Sequence, residues 1–338
     1  MEHQHIGKAS ILFREPPAVL SYASVVGKKE AEGPLSETFD LTVTEGHFGQ
    51  ASWEKAESQL QRTALALALD KAGFTEADLD TVYLGDLLNQ CMGSSFSMRD
   101  KKIPTFGLYG ACSTMAEGLI LGAMSVAGGF SRTTACIASS HFASSERQFR
   151  FPLGYGGQRT PTAQWTVTGA GAVILGQGTG SLHIGSATIG TVVDGGIKDG
   201  NNMGGAMAPA AFETIRTHME DLHRSPGDYD RIITGDLGAL GHAALLRLMQ
   251  KEGIDPGDKL TDCGILIYDR ERQDVHCGGS GCGCSAAVLC GHLFNKLCSG
   301  EWSRILFCGT GALLSPTSVQ QGETIPAICH AVEITRSP

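Results

Sequence analysis

One cysteine stands where it could do chemistry. Residues 110–114 read GACST, and the almost wholly apolar stretch 115–127 predicts that a buried helix begins just after Cys112. The free N–H groups and the dipole at a helix N-terminus stabilise a thiolate, which would lower the pKa of the thiol from its ordinary value of about 8.5. Cys112 is therefore a candidate nucleophile. A small buried thiol is the alternative, since the chain has 11 cysteines.

The elements that must hold this turn occur twice along the chain. Residues 78–87 (DLDTVYLGDL) resemble residues 228–237 (DYDRIITGDL), at an offset of 150 residues. Residues 110–113 (GACS) match residues 282–285 (CGCS), at an offset of 172 residues. Matches in the same order, separated by one insertion, indicate an internal duplication.

Each copy alternates helices with short strands. The predicted helices cover residues 53–72, 115–127, 210–222 and 286–297, and the predicted strands cover residues 82–84, 134–138, 171–175, 231–234 and 305–308. A helix that is apolar all round must lie between two sheets. We predict a duplicated five-layer α/β/α/β/α fold, with two mainly parallel, mixed sheets around buried helices, in two halves at residues 1–196 and 197–338.

Composition excludes several classes of protein. A net charge of -9 argues against nucleic-acid binding, which needs a dense basic surface. No window reaches the 18 or so consecutive apolar residues of a membrane span, and residues 1–5 lack the layout of a signal peptide. We therefore expect an intracellular protein whose cysteines are mostly buried and reduced.

The turn at residues 110–114 resembles the nucleophile turn of thiolases and ketoacyl synthases. The chain is more closely similar, from about residue 34 to residue 331, to the stage V sporulation protein AD family, a thiolase-like family of endospore-forming bacteria. The stretches that carry this resemblance are residues 85–90 (GDLLNQ), 146–150 (ERQFR), 155–158 (YGGQ), 206–211 (AMAPAA) and 309–317 (GTGALLSPT).

This resemblance implies a function. It implies a protein that binds dipicolinic acid (pyridine-2,6-dicarboxylate) and supports its uptake into the developing spore, together with membrane proteins of the same operon. It also implies a homodimer that lies in the forespore or spore, peripheral to the spore inner membrane.

The catalytic partners that related enzymes add to the cysteine are missing from their expected places. Condensing enzymes use His and Asn from the second half, and thiolases use His and a second Cys. Here residues 235–240 read GDLGAL, with no His before His242, and residues 279–284 (GSGCGC) contain no Asn. The sequence favours a binding protein with a degenerate active site. The alternative is an active thiolase or ketoacyl-synthase-type acyltransferase that uses Cys112, with His242 or His330 as its base.

A dipicolinate site needs donors for two carboxylates and a slot for a planar ring. The predicted ligand-binding residues are the side chains expected around one cavity, namely Asp86, Cys112, Ser113, His141 and Arg147. Asp86 ends a strand at the edge of the sheet where ligands of α/β folds bind. Its alternative role is a helix cap, and Asp236 repeats it, which favours a structural role for this position.

The remaining candidates also have plainer interpretations. His141 ends a strand and is either a ligand contact or a hydrogen-bonded residue behind the site. Arg147, Arg150 and Arg159 lie in a segment that the resemblance places beside the pocket and the dimer partner, and surface ion pairs are their alternative. Cys277, Cys282 and Cys284 lack the paired C-x2-C spacing of zinc sites, so we predict no metal and no cofactor.

Overall fold

The computed structural model describes residues 3–149 and 159–337. Its strands are β1 (His5–Ile6), β2 (Ser10–Leu12), β3 (Ala18–Gly27), β4 (Leu41–Val43), β5 (Thr81–Gly85), β6 (Thr105–Leu108), β7 (Thr133–Ser140), β8 (Trp165–Thr166), β9 (Gly169–Gly176), β10 (Leu182–Thr188), β11 (Val193–Asp194), β12 (Arg231–Thr234), β13 (Leu260–Asp262), β14 (Gly279–Ser280), β15 (Arg304–Ala312) and β16 (Pro326–Arg336).

The helices alternate with these strands. They are α1 (Lys28–Ala31), α2 (Trp53–Ala72), α3 (Met92–Met98), α4 (Thr114–Ala127), α5 (Phe142–Phe149), α6 (Met203–Leu222), α7 (Gly238–Lys251), α8 (Cys263–Leu266), α9 (Cys282–Val288), α10 (Phe294–Cys298) and α11 (Pro316–Gln320). A π-helical turn at Leu289–Leu293 joins α9 to α10. The predicted helix at residues 286–297 is therefore two helices around this turn.

The strand order shows the duplication directly. The first half contributes β3-β9-β7-β5-β6 and the second contributes β10-β16-β15-β12-β13. In each half the strand next to the edge, β5 or β12, runs parallel to both of its neighbours, and the other pairs within these two orders are antiparallel. A short pairing of β3 with β10 joins the two sheets into one ladder. By strand order the second sheet thus begins with β10. The predicted boundary between the two halves at residue 196 stays a prediction.

The core confirms the predicted five layers. Helices α4 and α9 are buried between the two sheets and contact each other, and one large apolar cluster surrounds them. Helix α2 covers the outer face of the first sheet, and α6 and α7 cover the outer face of the second. The apolar composition of α4 and α9 follows from this position, since all of α9 and most residues of α4 are buried.

Capping residues set the ends of several helices. The side chain of Ser52 caps α2, and Gly73 ends it in the left-handed conformation, as the sequence predicts. Helix α6 begins at Met203 and not at residue 210, because the Asn202 side chain caps it by accepting a hydrogen bond from Gly205 N and the helix continues through Pro209. Within residues 3–149 and 159–337, no helix has the length and apolar character needed to cross a membrane.

Candidate functional site

The turn that carries Cys112 lies against the second half of the molecule. Residues Ala111–Ser113 form a single 3-10 turn, after which α4 begins. Ala111 has a φ of 52°, a left-handed conformation that residues other than glycine seldom adopt and that is concentrated at functional sites. Strand β15 approaches so closely that a Cβ on Gly311 would lie 2.6 Å from the carbonyl oxygen of Gly110. Glycine at 311 therefore allows the second half to contact the cysteine turn.

The Cys112 thiol faces a carboxyl group. Asp236, which follows β12 in the second half, lies beside it, and each group shifts the pKa of the other. The backbone N–H of Gly281 donates to Asp236 Oδ2 over 2.9 Å and also approaches the sulfur. Thr310 Oγ1, on β15, donates to Asp236 Oδ1 over 2.9 Å. Asp236 thus connects the cysteine turn of the first half to two segments of the second.

This pairing holds the proton on the sulfur. Burial, and next the negative charge of Asp236, raise the pKa of the Cys112 thiol well above its ordinary value. Burial also raises the pKa of Asp236 to about 7, although hydrogen bonds from Cys112 and Gly281 act in the opposite direction. The expectation that the helix N-terminus lowers the pKa of Cys112 is therefore wrong. Loss of water and a neighbouring carboxylate outweigh the helix dipole.

The two histidines considered as catalytic bases, His242 and His330, make their contacts elsewhere in the structure and not with Cys112. His242 lies near the start of α7, partly buried, with Asp262 nearby, and burial lowers its pKa. His330 lies on β16, where its Nδ1 accepts a hydrogen bond from Gly190 N over 3.1 Å and burial lowers its pKa to about 4. His330 is thus a neutral core imidazole at physiological pH.

Cys112 lies in the wall of a cavity of about 760 Å³. Its polar wall residues come from several places along the chain and include Asn89, Tyr109, Ser145, Glu146, Lys198, Asp199 and Asn201. Its apolar wall includes Leu87, Phe149, Met203, Leu314 and Pro316. Among the wall residues that the structure describes, Lys198 is the cationic one. The cavity therefore combines apolar surface with a few polar groups, as small-molecule sites do.

The structure places the predicted residue Asp86 beneath the site. Asp86 is fully buried, and its carboxylate accepts hydrogen bonds from Leu88 N (2.8 Å), Ser94 N (2.7 Å) and Ser94 Oγ (2.6 Å). These contacts are those of a cap on the loop and helix that follow β5, the alternative role considered for this residue. Burial raises the pKa of Asp86, and the three donors lower it.

Ser113 and His141 are also bonded within the fold. Ser113 Oγ donates to the carbonyl of Gly110 over 2.7 Å, which closes the cysteine turn. His141 Nε2 lies 2.8 Å from the carbonyl of Gly46, and its Nδ1 accepts from Ala143 N over 3.2 Å. Both side chains are buried, and neither Ser113 nor His141 belongs to the cavity wall that the structure describes.

The arginines lie beside the cavity. Arg147 forms an ion pair with Glu54 and stacks over Trp53, and it lines a smaller neighbouring cavity of about 320 Å³. Arg159 donates to the carbonyls of Gln164 and Asp274 and stacks over Trp165. Arg150, together with residues 155–158, lies outside the described residues.

Several residues of the site were missed from the sequence. Asp236 was given a structural role because it repeats Asp86, and Lys198 and Ser145 were not considered. A signal for Lys198 existed, since residues 195–205 form a polar, glycine-rich segment immediately before α6. Ser145 lies in α5, four residues after the predicted residue His141, but only the packing shows which face of that helix borders the cavity.

The cysteines once considered for metal binding point to three different places. The thiols of Cys277, Cys282 and Cys284 donate to the carbonyls of Pro161, Ser139 and Gly235, respectively. In the described part of the chain, no group of three or more His, Cys, Asp or Glu side chains is placed to hold a metal ion.

Comparison with known proteins identifies the family. The family model described as Stage V sporulation protein AD (SpoVAD) matches residues 7–335. Stage V sporulation protein AD of Bacillus subtilis (strain 168) is 46% identical over 331 residues, which is 98% of either chain.

Solved structures show the same fold. The chain is similar to human mitochondrial 3-ketoacyl-CoA thiolase in complex with CoA (TM-score 0.62, 12% identity, 97% of this chain and 99% of that chain). It is also similar to 3-oxoacyl-(acyl-carrier-protein) synthase III from Aquifex aeolicus VF5 (TM-score 0.58, 14% identity, 94% of this chain and 99% of that chain). These likenesses show the thiolase-like fold. The match across nearly its whole length places this chain in the stage V sporulation protein AD family.

Proposed function

We propose that this sporulation protein is a non-catalytic receptor for dipicolinic acid. The observation that carries the proposal is the position of the Asp236 carboxyl group beside the buried Cys112 thiol, at a cavity whose described wall residues include no histidine. Acyl transfer requires a thiolate, and a neighbouring base normally provides it. Here burial and the neighbouring Asp236 raise the pKa of the thiol, and no imidazole among the described wall residues is placed to take its proton, so Cys112 is a weak nucleophile.

The cavity supports a small planar anion as the ligand. Dipicolinate has a flat ring and two carboxylates, so it needs apolar walls and a small number of donors. Leu87, Phe149 and Leu314 supply apolar wall, and Lys198 supplies a cation for one carboxylate. An open volume of about 760 Å³ also argues against a pocket that is merely vestigial.

Membership of the family supports a proposed setting for this receptor. We infer that it supports uptake of dipicolinate into the developing spore, acts with membrane proteins of the same sporulation operon, forms a homodimer and lies peripheral to the spore inner membrane. In this role the protein gathers the ligand and does not convert it, so no cofactor or metal is required.

Calorimetry with dipicolinate tests the proposal. We expect saturable binding by the wild-type protein and weaker binding by Cys112→Ala, because Asp236 then loses a hydrogen-bond donor and repels the dianion. Cys298→Ala is the matched control, since Cys298 is an exposed cysteine outside the cavity wall, and it should bind like the wild type. Absence of saturable binding by the wild-type protein would refute the receptor.

Mass spectrometry tests the alternative function, acyl transfer by Cys112. After incubation with short acyl-CoA thioesters, we expect the intact mass of the wild-type protein to equal that of Cys112→Ala corrected for the substitution. An acyl adduct that maps to Cys112 would instead support an acyltransferase.

A further inference from the structure

Ser145 has an unusual place in the cavity wall. It lies in α5, it is 2% exposed, and its Oγ has no hydrogen-bond partner in the part of the chain that the structure describes. Its neighbour Ser144 shows the usual arrangement, since Ser144 Oγ donates to Glu57 Oε2 over 2.7 Å. A buried hydroxyl without a partner destabilises a protein, so its presence in the wall of a cavity points to a bound group that satisfies it.

Two pairs of polar side chains in the same wall already form hydrogen bonds with each other. Thr166 Oγ1 donates to Glu146 Oε1 over 3.0 Å, and the Tyr109 hydroxyl donates to Asn89 Oδ1 over 3.1 Å. Lys198 provides one ammonium group, which can neutralise one carboxylate. A ligand with two carboxylates therefore needs a further donor, and Ser145 Oγ is a buried one that is not committed within the fold.

We propose that Ser145 Oγ donates the hydrogen bond that recognises the second carboxylate of the bound ligand, and that it thereby selects a dicarboxylate over a monocarboxylate. This inference rests on the proposed function. It assigns Ser145 a role in specificity, while Lys198 supplies charge to the first carboxylate. Without ligand the Ser145 hydroxyl has no partner among the described residues. In the complex it forms a charge-assisted hydrogen bond.

The test compares two ligands on two proteins. For Ser145→Ala, we expect the affinity for pyridine-2,6-dicarboxylate to fall roughly tenfold or more, the usual effect of losing a hydrogen bond to a charged group. The affinity for pyridine-2-carboxylate, which lacks the second carboxylate, should remain unchanged. Equal losses for both ligands, or no loss for the dicarboxylate, would overturn the assignment.

Thermal unfolding without ligand separates this role from a structural one. Ser145→Ala should unfold at the same temperature as the wild-type protein or a higher one, because the removed hydroxyl has no partner in the fold. Ser144→Ala is the matched control and should unfold at a lower temperature, since Glu57 loses a donor. A lower unfolding temperature for Ser145→Ala would contradict the proposal. If the wild-type protein binds neither ligand, the receptor function itself fails; if it binds and Ser145→Ala binds equally well, only the role of Ser145 fails.

Discussion

The two halves of the molecule place the same residue in different roles. Asp86 and Asp236 both follow the strand next to the edge of their half-sheet, β5 or β12, in the sequence Gly-Asp-Leu. Asp86 accepts its hydrogen bonds from Leu88 and Ser94, within its own half. Asp236 reaches across the molecule to the Cys112 thiol. Duplication therefore conserved the position of the carboxylate but not its partners.

The reason for the difference lies in the neighbouring strand. In the second half Asp262, at the end of β13, accepts hydrogen bonds from Leu237 N (2.8 Å) and Gly238 N (3.0 Å) and so caps the start of α7. The corresponding register position in the first half is Gly107, which has no side chain to offer. Asp86 therefore caps the loop that follows its own strand. In the second half Asp262 caps the start of α7, so the Asp236 side chain is free to face Cys112.

The largest expected effect is a pH-dependent change in stability from Asp236. An unfolded aspartate has a pKa of about 3.9, whereas burial raises the pKa of Asp236 to about 7. The folded protein thus holds this proton more tightly, so its contribution to stability is complete below about pH 4 and is lost as the pH rises through about 7. Relative to Asp236→Asn, which does not titrate, the wild-type free energy of unfolding should fall by about 4 kcal/mol between pH 4 and pH 8.

Urea unfolding at several pH values measures this difference. Asp80→Asn is the control, because Arg132 lowers the pKa of Asp80, and a lowered pKa affects stability only as the pH falls below the usual aspartate range. Its difference from the wild-type protein should stay constant between pH 5 and pH 8. Parallel curves for the wild-type protein and Asp236→Asn would show that Asp236 is not protonated in the fold.

The second prediction concerns the reactivity of the thiol. Replacing Asp236 by Asn removes the negative charge that raises the pKa of Cys112, so alkylation of Cys112 by iodoacetamide at about pH 8.5, where Asp236 is ionised, should become about tenfold faster or more. The rate is followed by peptide mass in a Cys298→Ser background, because Cys298 is exposed. Asp86→Asn serves as the control from the other half and should leave the rate near that of the wild-type protein. An unchanged rate in Asp236→Asn would separate the carboxylate from the thiol.

The sequence was sufficient to predict the fold because its signals are local. The apolar helix at residues 115–127, the Gly73 helix end and the paired Gly-Asp-Leu segments each reflect interactions within a few residues. The capping boxes at Thr75–Asp78 and Ser225–Asp228 repeat at the same offset of 150 residues. Repetition of local signals fixes the order of the elements, and the order fixes the layers.

The site could not be predicted to the same degree, because its contacts join distant parts of the chain. Cys112, Asp236 and Thr310 meet only after α4 packs between the sheets and β15 passes the cysteine turn. The repeat suggested that Asp236 copies Asp86, and nothing local indicates that Asp262 takes over the cap. Likewise, the sequence gives the spacing of Ser144 and Ser145 but not which hydroxyl meets Glu57 and which borders the cavity.

The smallest expected effect compares an arginine pair of the repeat. Arg132 and Arg304 both donate a backbone hydrogen bond to an aspartate of the matching segment, Asp80 or Asp230. The side chain of Arg132 is 88% exposed, so Arg132→Ala should leave the free energy of unfolding almost unchanged. Arg304 also lies 3.9 Å from Glu333, whose side chain is 5% exposed. Arg304→Ala should therefore lower the free energy of unfolding by about 1 to 2 kcal/mol, because the buried carboxylate of Glu333 loses a nearby positive charge.

Urea unfolding at pH 7 measures the effect of both substitutions. In a Glu333→Gln background, the destabilisation caused by Arg304→Ala should fall toward that caused by Arg132→Ala. If the two substitutions destabilise the wild-type protein equally, Arg304 does not compensate the charge of Glu333. The two halves would then differ electrostatically only around Cys112.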